Sequence, residues 1–518
     1  MKKSILLTLL SLSCFTFAVA ASACDEETSS SGNTNSGETY TVTFTDGEGF
    51  TYEKSTSDKT MEAQSGEQIS FSLDIGAFYT GTPIVLADGV ALASLDGTYS
   101  LTVTKDTTIT VDGISRDVSS MVGTGAYDDA FVISRPIDLL YIAEQVNAGN
   151  QTYATAAYVL GNDIDCKGET LQVIGDMRTE NAFFSGCVSC YTNSETNEAT
   201  RYTISNFKIN ATNAGYVGLF GCVQADLTTE GSGLFYGIRI DDFEITASVK
   251  NIKDEPVIYC GGLIGYGMGV TAYLCDATNG KLDILADDNY FSFAGGLIGC
   301  QQGSYQQNYG QIFSSEIAYS TVDVDVTAVQ GNVLYAGGVV GYACTDSLVA
   351  PSFIHNAYST GSVSGAARSG GIAGGLGQYT SVSNAYTTGD IFANCTQARD
   401  LVSNEEYCYA FSGGIVGFAE NDTSINDCFS AGSVIARAAA GVNYQKTDVA
   451  VGGGHEAGYT SVDSQKYVIN NCVGDVTAKA ATEIAKTTLS WRENDWIFAD
   501  NAFPTINYEL SKETVATL

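Results

Sequence analysis

The sequence predicts an all-β protein: a parallel β-helix of Gly-rich repeats with a short capping helix at its amino-terminal side, preceded by a small β-sandwich. Three observations carry this. A Gly-apolar-apolar-Gly string recurs six times between residues 218 and 417. A fixed position in the segment after each string reads only Ala or Cys. Residues 39–114 alternate apolar and polar side chains, with turn signals between the runs. Composition agrees. With 56 Gly but 5 Pro in 518 residues, collagen is excluded, and 30 Tyr and 23 Phe against only 16 % charged residues exclude a disordered chain.

Taken in order, residues 1–23 read as a signal peptide. Lys2 and Lys3 form a basic start, residues 4–20 an apolar stretch short for a membrane span, and Ala21-Ser22-Ala23 a small-residue cleavage site. Ala21-Ser22-Ala23-Cys24 resembles a bacterial lipobox, with Ala21 where Leu is commoner, and implies lipidation of Cys24. Residues 24–38, rich in Ser, Gly, Asn and Thr, suit a flexible tether to the membrane. Loss of Lys2 and Lys3 would take the formal charge from −35 to −37. That field disfavours nucleic acid and polyuronates as partners.

Residues 39–114 form the sandwich. Tyr40–Phe44, Ile69–Leu73, Tyr99–Val103 and Thr107–Val111 have period two, with Asp46-Gly47, Asp88-Gly89 and Asp96-Gly97 as turns. The pattern resembles the immunoglobulin-like spacer modules of bacterial surface proteins.

Residues 120–510 form the repeat array. Ser134, Pro136 and Gly149 delimit a helix whose apolar stripe is Ile137, Leu140, Ile142, Ala143 and Val146; covering open strand edges is its expected job. The repeats follow: Gly218–Gly221, Gly261–Gly265, Gly295–Gly299, Gly337–Gly341, Gly370–Gly374 and Gly413–Gly417, with a degraded copy at residues 451–454. Between Gly218, Gly262, Gly296, Gly338, Gly371 and Gly414 the intervals are 44, 34, 42, 33 and 43 residues. Periods of this size mean a solenoid or a propeller, and alternation between two lengths favours the solenoid. Each coil is expected to hold three strands, one of them from the Gly-apolar run, and the longer coils carry insertions such as residues 395–409. The Ala-or-Cys position is read as Cys275, Ala318, Ala357, Ala385, Cys428 and Cys472, followed by Tyr319, Tyr358, Tyr386 and Phe429. Trp491, Trp496, Phe498 and Phe503-Pro504 are expected to close the far end of the stack.

The Gly-Gly-Leu-Ile-Gly strings, each followed by a string like Asn356-Ala-Tyr-Ser-Thr-Gly361 or Asn384-Ala-Tyr-Thr-Thr-Gly389, resemble the GLUG motif of bacterial surface and secreted proteins. The resemblance spans roughly residues 125–510. It implies a β-helical surface protein and is nearly silent on activity.

No metal-protease, phosphate-loop or nucleophile-elbow string is present, and a catalytic triad would need His355 or His455, the only histidines. The acidic pairs Asp128-Asp129, Asp241-Asp242 and Asp287-Asp288 point to opposite faces if they lie on strands. Cys187-x-x-Cys190 lacks a second pair for zinc, leaving a local disulfide or two thiols. No cofactor is expected, although Asp163, Asp165, Asp323 and Asp325 have the oxygen chemistry for calcium at turns. The expectation is therefore a surface-anchored lipoprotein that binds a glycan or host protein, with a β-helix glycoside hydrolase or lyase as the alternative. The insertions supply the expected contact residues: Tyr290 and Phe291 with Phe293, Tyr305 and Tyr309, Tyr407 and Tyr409.

Overall fold

A computed structural model describes residues 37–508, except 177–181, 193–198, 213–214, 230, 250–256, 287–290, 308–309, 330–332, 396–397, 400–405, 439–443 and 450–467. Cys24, Tyr290, Tyr309, His455, Asp287 and Asp288 lie outside the described residues, as do the side chains of Phe291, Tyr407 and Tyr409.

Residues 39–116 alternate because one side of each strand is buried. Thr60–Gln64, Thr39–Phe44, Thr107–Arg116, Tyr79–Ala87 and Val90–Ala91 make one sheet, in that order; Phe50–Glu53, Gln68–Ile75, Thr98–Thr102 and Ser94–Leu95 make another. Val42, Phe44, Ile69, Phe71, Tyr99 and Ile109 are buried, with Phe71 edge-on to Phe44 at 5.2 Å and stacked on Tyr99 at 5.7 Å.

From Phe131 onward the chain is a parallel β-solenoid. Three long sheets run along it. The first includes Val257–Gly261, Phe291–Gly295, Val333–Gly337, Arg368–Gly370 and Glu406–Gly413; the second Ile264–Met268, Ile298–Gln306, Val340–Thr345, Ala373–Leu376 and Val416–Ala419. The third, with 19 strands among the described residues, includes Arg239–Val249, Asp276–Ala286, Ser315–Val329, Ser352–Ser359 and Thr380–Thr387. Inward apolar residues merge into one core, in which Leu263, Leu297, Val339, Ile372 and Ile415 repeat at one position with no exposure.

The Gly-apolar run does not form one strand as expected; its paired glycines stand at a corner, and the strands lie on either side. Gly295 closes one strand, Gly296 and Leu297 make the bend, and Ile298 opens the next. Space, not backbone conformation, demands glycine. A Cβ on Gly262, Gly296, Gly338 or Gly371 would lie 2.5, 2.2, 2.2 or 2.1 Å from the carbonyl oxygen of the same glycine one coil on. The Gly265-Tyr-Gly-Met-Gly269 run that follows is mostly strand, with Ile264–Met268 in the second sheet.

A second corner has a different chemistry. Leu274, Tyr319, Asn356, Asn384, Asp427 and Asn471 stand at equivalent positions with φ between 48° and 54°. Asn and Asp tolerate this left-handed region better than other non-Gly residues, and they occupy four of the six places. The next residue closes the bend: the thiols of Cys428 and Cys472 and the hydroxyl of Ser320 each donate to the carbonyl two residues back, at 3.1, 3.3 and 3.2 Å. This corrects the register of residues 317–321. Ser320, not Ala318, pairs with Ala357, and Tyr319 takes the left-handed position.

Two end elements also differ from expectation. The helix Pro136–Asn147 starts after Arg135 rather than Ser134, because the Asp138 carboxylate accepts both the Ser134 and the Arg135 N–H at 3.0 Å. Leu139, Ile142, Ala143 and Val146 join the core. The tail does not close the far end; residues 478–508 lie lengthwise along the third sheet. There Tyr358, Tyr386 and Phe429 stack outside the coil at 4.8 and 4.7 Å, an apolar stripe that Trp491, Trp496 and Phe503 cover. Trp491 Nε1 donates to the Asp427 carbonyl, Tyr386 donates to the Pro504 carbonyl, and the Tyr508 hydroxyl reaches back to Asp276.

Candidate functional site

The left-handed corner and the tail enclose a cleft of about 240 Å³. Its floor is the corner row Asn356, Asn384, Asp427 and Asn471. Its wall is Leu489, Ser490, Trp491 and Arg492 with Asp495 and Trp496. Both tryptophans of the chain are thus at one site. They stack at 4.3 Å. The corner explains the floor: a residue that makes the bend carries a short polar side chain, and stacking the coils lines these up along the axis.

Several floor and wall groups are tied into the fold. Asn471 Nδ2 donates to Asp427 Oδ1 at 2.6 Å and to the Thr488 carbonyl at 2.8 Å. Asp495 accepts from Tyr319 O–H at 2.8 Å and from Arg492 Nε at 2.6 Å. Burial first, and the Asp495 contact second, push the Tyr319 phenol up to about 12. Two buried atoms lack a partner among the described residues: the carbonyl oxygen Oδ1 of Asn356 and the indole Nε1 of Trp496.

His355 stands beside the floor. Its Nε2 meets Glu316 Oε1 of the neighbouring coil at 2.5 Å, and its Nδ1 faces Asn356 Nδ2 at 3.3 Å. The His355 hydrogen bond holds the Glu316 carboxyl below its usual range, against partial burial. A depressed carboxylate pKa stabilises the fold above the unfolded value and stops doing so as pH falls through the folded one. Because 37 % of the Glu316 side chain is exposed, solvent keeps the pair to about 0–1 kcal/mol. The wild-type advantage in melting temperature over Glu316→Gln should therefore be small at neutral pH, begin to shrink as pH drops below about 4.5, and be gone once pH lies below the depressed folded value. Melts of both proteins from pH 3 to 7 check this; an advantage undiminished at pH 3 contradicts it.

The acids read as calcium chemistry accept hydrogen bonds, Asp165 within its own turn and the other three from residues 37–40 positions further along the chain. Asp163 accepts the Thr203 N–H, Asp165 the Lys167 N–H, Asp323 the Thr360 hydroxyl, and Asp325 the Ser362 N–H and hydroxyl. Among the described residues no three His, Cys, Asp or Glu side chains converge as a ligand set. Asp241 accepts from Thr278 and Asn279 while Asp242 sits at a left-handed position, so that pair is structural. Cys187 and Cys190 are buried, and no disulfide joins the cysteines whose side chains are described. Burial pushes the Cys166, Cys260 and Cys275 thiols up to about 12, which suits packing and not nucleophilic attack.

The aromatic residues expected in insertions are placed differently. Phe291 belongs to the strand Phe291–Gly295, and Tyr407 and Tyr409 to Glu406–Gly413. Phe293 stacks between Tyr259 and Tyr335 at 5.4 Å on each side, so both its faces are covered by neighbouring rings. Tyr305 alone of the expected set is described in a projecting hairpin, Ser304–Gln306 against Gln311–Phe313, where it is half-buried. Neither Phe293 nor Tyr305 lines the cleft, and sequence reading did not find it. The available signal was the recurring Asn or Asp before the Ala-or-Cys position, a sign of a left-handed corner rather than of register alone.

No family model matches the chain, and no curated protein does. Among solved structures it is similar to a Bacteroides ovatus protein provisionally assigned as an immunoglobulin A1 protease. The identity is 15 %, the match covers 74 % of this chain and 94 % of that one, and the TM-score is 0.33. A likeness that distant carries no activity across.

Proposed function

We propose that the chain is an exported, lipid-anchored surface protein that binds a glycan and does not transform it. The cleft carries this reading: a row of amide and carboxylate side chains faces a wall holding both tryptophans, on a scaffold of stacked coils. Planar polar groups beside aromatic rings suit hydroxylated, partly apolar ligands. The basic start, apolar stretch and Cys24 support export and anchoring, and the repeat strings support a GLUG-type assignment. The net charge of −35 argues against nucleic acid.

A glycan array probed with the chain from residue 25 onward tests the binding reading; an array without signal counts against it. Cys24→Ala should move the protein from the membrane fraction to the medium, and unchanged fractionation overturns the anchor.

A second reading, a carbohydrate-active enzyme, is favoured by one observation: Asp427 and Asp495 line the same cleft. Against it, Asp495 is held by two donors and Asp427 by the Asn471 amide, so an acid facing a free carboxylate is not formed. Release of reducing ends from array-positive glycans, lost in Asp427→Asn, would establish the enzyme.

A further inference from the structure

We infer that Cys428 and Cys472 are a redox pair: with a disulfide oxidant they close into a bond that staples the last described coil to the one before it. The inference is independent of what the cleft binds.

The left-handed corner sets the geometry. Asp427 and Asn471 make the same bend on adjacent coils, with φ 53° and 54°, and each is followed by its cysteine. Register is fixed on both sides of the pair. The Asp427 N–H donates to the Asn470 carbonyl at 3.1 Å, and the Val473 N–H to the Cys428 carbonyl at 2.9 Å. Equivalent residues of neighbouring strands stand roughly 4.8 Å apart, inside the Cα separation a disulfide spans. Cys472 already reaches across the gap: its Sγ lies 3.5 Å from the Ile425 carbonyl oxygen on the Cys428 coil, while Cys428 Sγ lies 3.1 Å from the next one, Asn426. Joining the sulfurs gives up only weak thiol–carbonyl bonds. Along this row the position reads Cys275, Ser320, Ala357, Ala385, Cys428 and Cys472, so two thiols meet only at its last step.

The pair is asymmetric, which orders the chemistry. Cys428 has no exposure, and burial pushes its thiol up. Cys472 is half-buried at the end of the stack. The Cys428 S–H, able to donate to the Cys472 sulfur in place of the Asn426 carbonyl, holds the Cys472 thiol below its usual range against burial. Cys472 is therefore the attacking thiolate and Cys428 the resolving thiol. The Cys472 thiolate attacks one sulfur of the oxidant, giving a mixed disulfide and one leaving thiolate. Cys428 passes its proton to that thiolate, attacks the Cys472 sulfur and expels the second thiolate, which takes up the proton Cys472 lost. Two cysteines are oxidised and one disulfide is reduced to two thiols. Disulfide-bearing molecules are the class of oxidant that an exported chain meets.

The probe is oxidised glutathione, added to the full chain before alkylation, digestion and mass spectrometry of the peptides. The wild type should yield a Cys428–Cys472 cross-link and leave Cys275 unlinked. Cys428→Ser should instead trap glutathione on Cys472, while Cys472→Ser should leave Cys428 unmodified. Both variants are expected to fold, because Ser320 and Ala357 fill the same position in other coils. Cys428→Ala and Cys472→Ala replace them if either serine variant melts well below the wild type. In the oxidised wild type, protease should cleave beyond Cys472 about tenfold more slowly than in the reduced chain, and Cys472→Ser should show no such difference. The inference is overturned if the folded wild type gives no cross-link, if glutathione stays off Cys472 in Cys428→Ser, or if it takes Cys428 in Cys472→Ser. A cross-link without any gain in protection also overturns it, since the bond would then staple nothing.

Discussion

Gly338→Ala is expected to destabilise the solenoid by about 4 kcal/mol or more, toward the top of what single substitutions do. The added methyl would lie 2.2 Å from the Gly371 carbonyl oxygen and 2.3 Å from Ser359 Oγ. The side chain of Ser359 could rotate, but the carbonyl cannot move away. Gly371 is itself packed against Gly414, where a Cβ would come within 2.1 Å of the oxygen, so a shift in one coil meets the next. Gly310→Ala is the matched control in the same part of the chain. It has φ +64° and nothing within 4 Å, so only backbone strain of about 1–2 kcal/mol applies. Urea unfolding of the two variants separates crowding from conformation. If they lose equal stability, the coils do not have the close spacing assigned to this corner.

Trp496→Ala should release the tail from the third sheet at a cost of about 3–5 kcal/mol, the range for emptying a large buried aromatic site. Trp496 stacks on Trp491 at 4.3 Å and lies 5.9 Å from Tyr386. The ladder of Tyr358, Tyr386 and Phe429 would then lose its cover. Limited proteolysis checks this: residues 478–508 should become cleavable while the rest of the solenoid stays resistant. A tail that stays protected would mean that Phe503, the Tyr386 bond to the Pro504 carbonyl and the Tyr508 contacts suffice to hold it.

Much of the solenoid was legible because its strongest constraint is a spacing. Where glycine recurs every 33–34 or 42–44 residues with apolar neighbours, few architectures other than a coil stack satisfy the pattern. The corner row was visible as Asn356 and Asn384 but was misread, because a string shows which residues recur and not their φ. The slip at Tyr319 has the same origin. Ile317-Ala-Tyr-Ser looks like Asn356-Ala-Tyr-Ser shifted in its first residue, yet backbone pairing places Tyr319 opposite Asn356.

The sequence by itself determined the solenoid class, the sandwich strands and the capping helix with its apolar stripe. These depend on local periodicity and on which side chains leave water, both of which are written in order along the chain. Only the tertiary structure decided where the strands on either side of the Gly-Gly corner end and begin, that Phe291, Tyr407 and Tyr409 are strand residues, and that the tail lies along the third sheet. It alone brought Asn356, on one coil, to the same cleft as Trp496, 140 positions later. The physical reason is that stacking converts distance in sequence into adjacency along the axis. The tail's route is set by an apolar stripe that exists only once the coils carrying Tyr358, Tyr386 and Phe429 have stacked, so no short window of the sequence contains it.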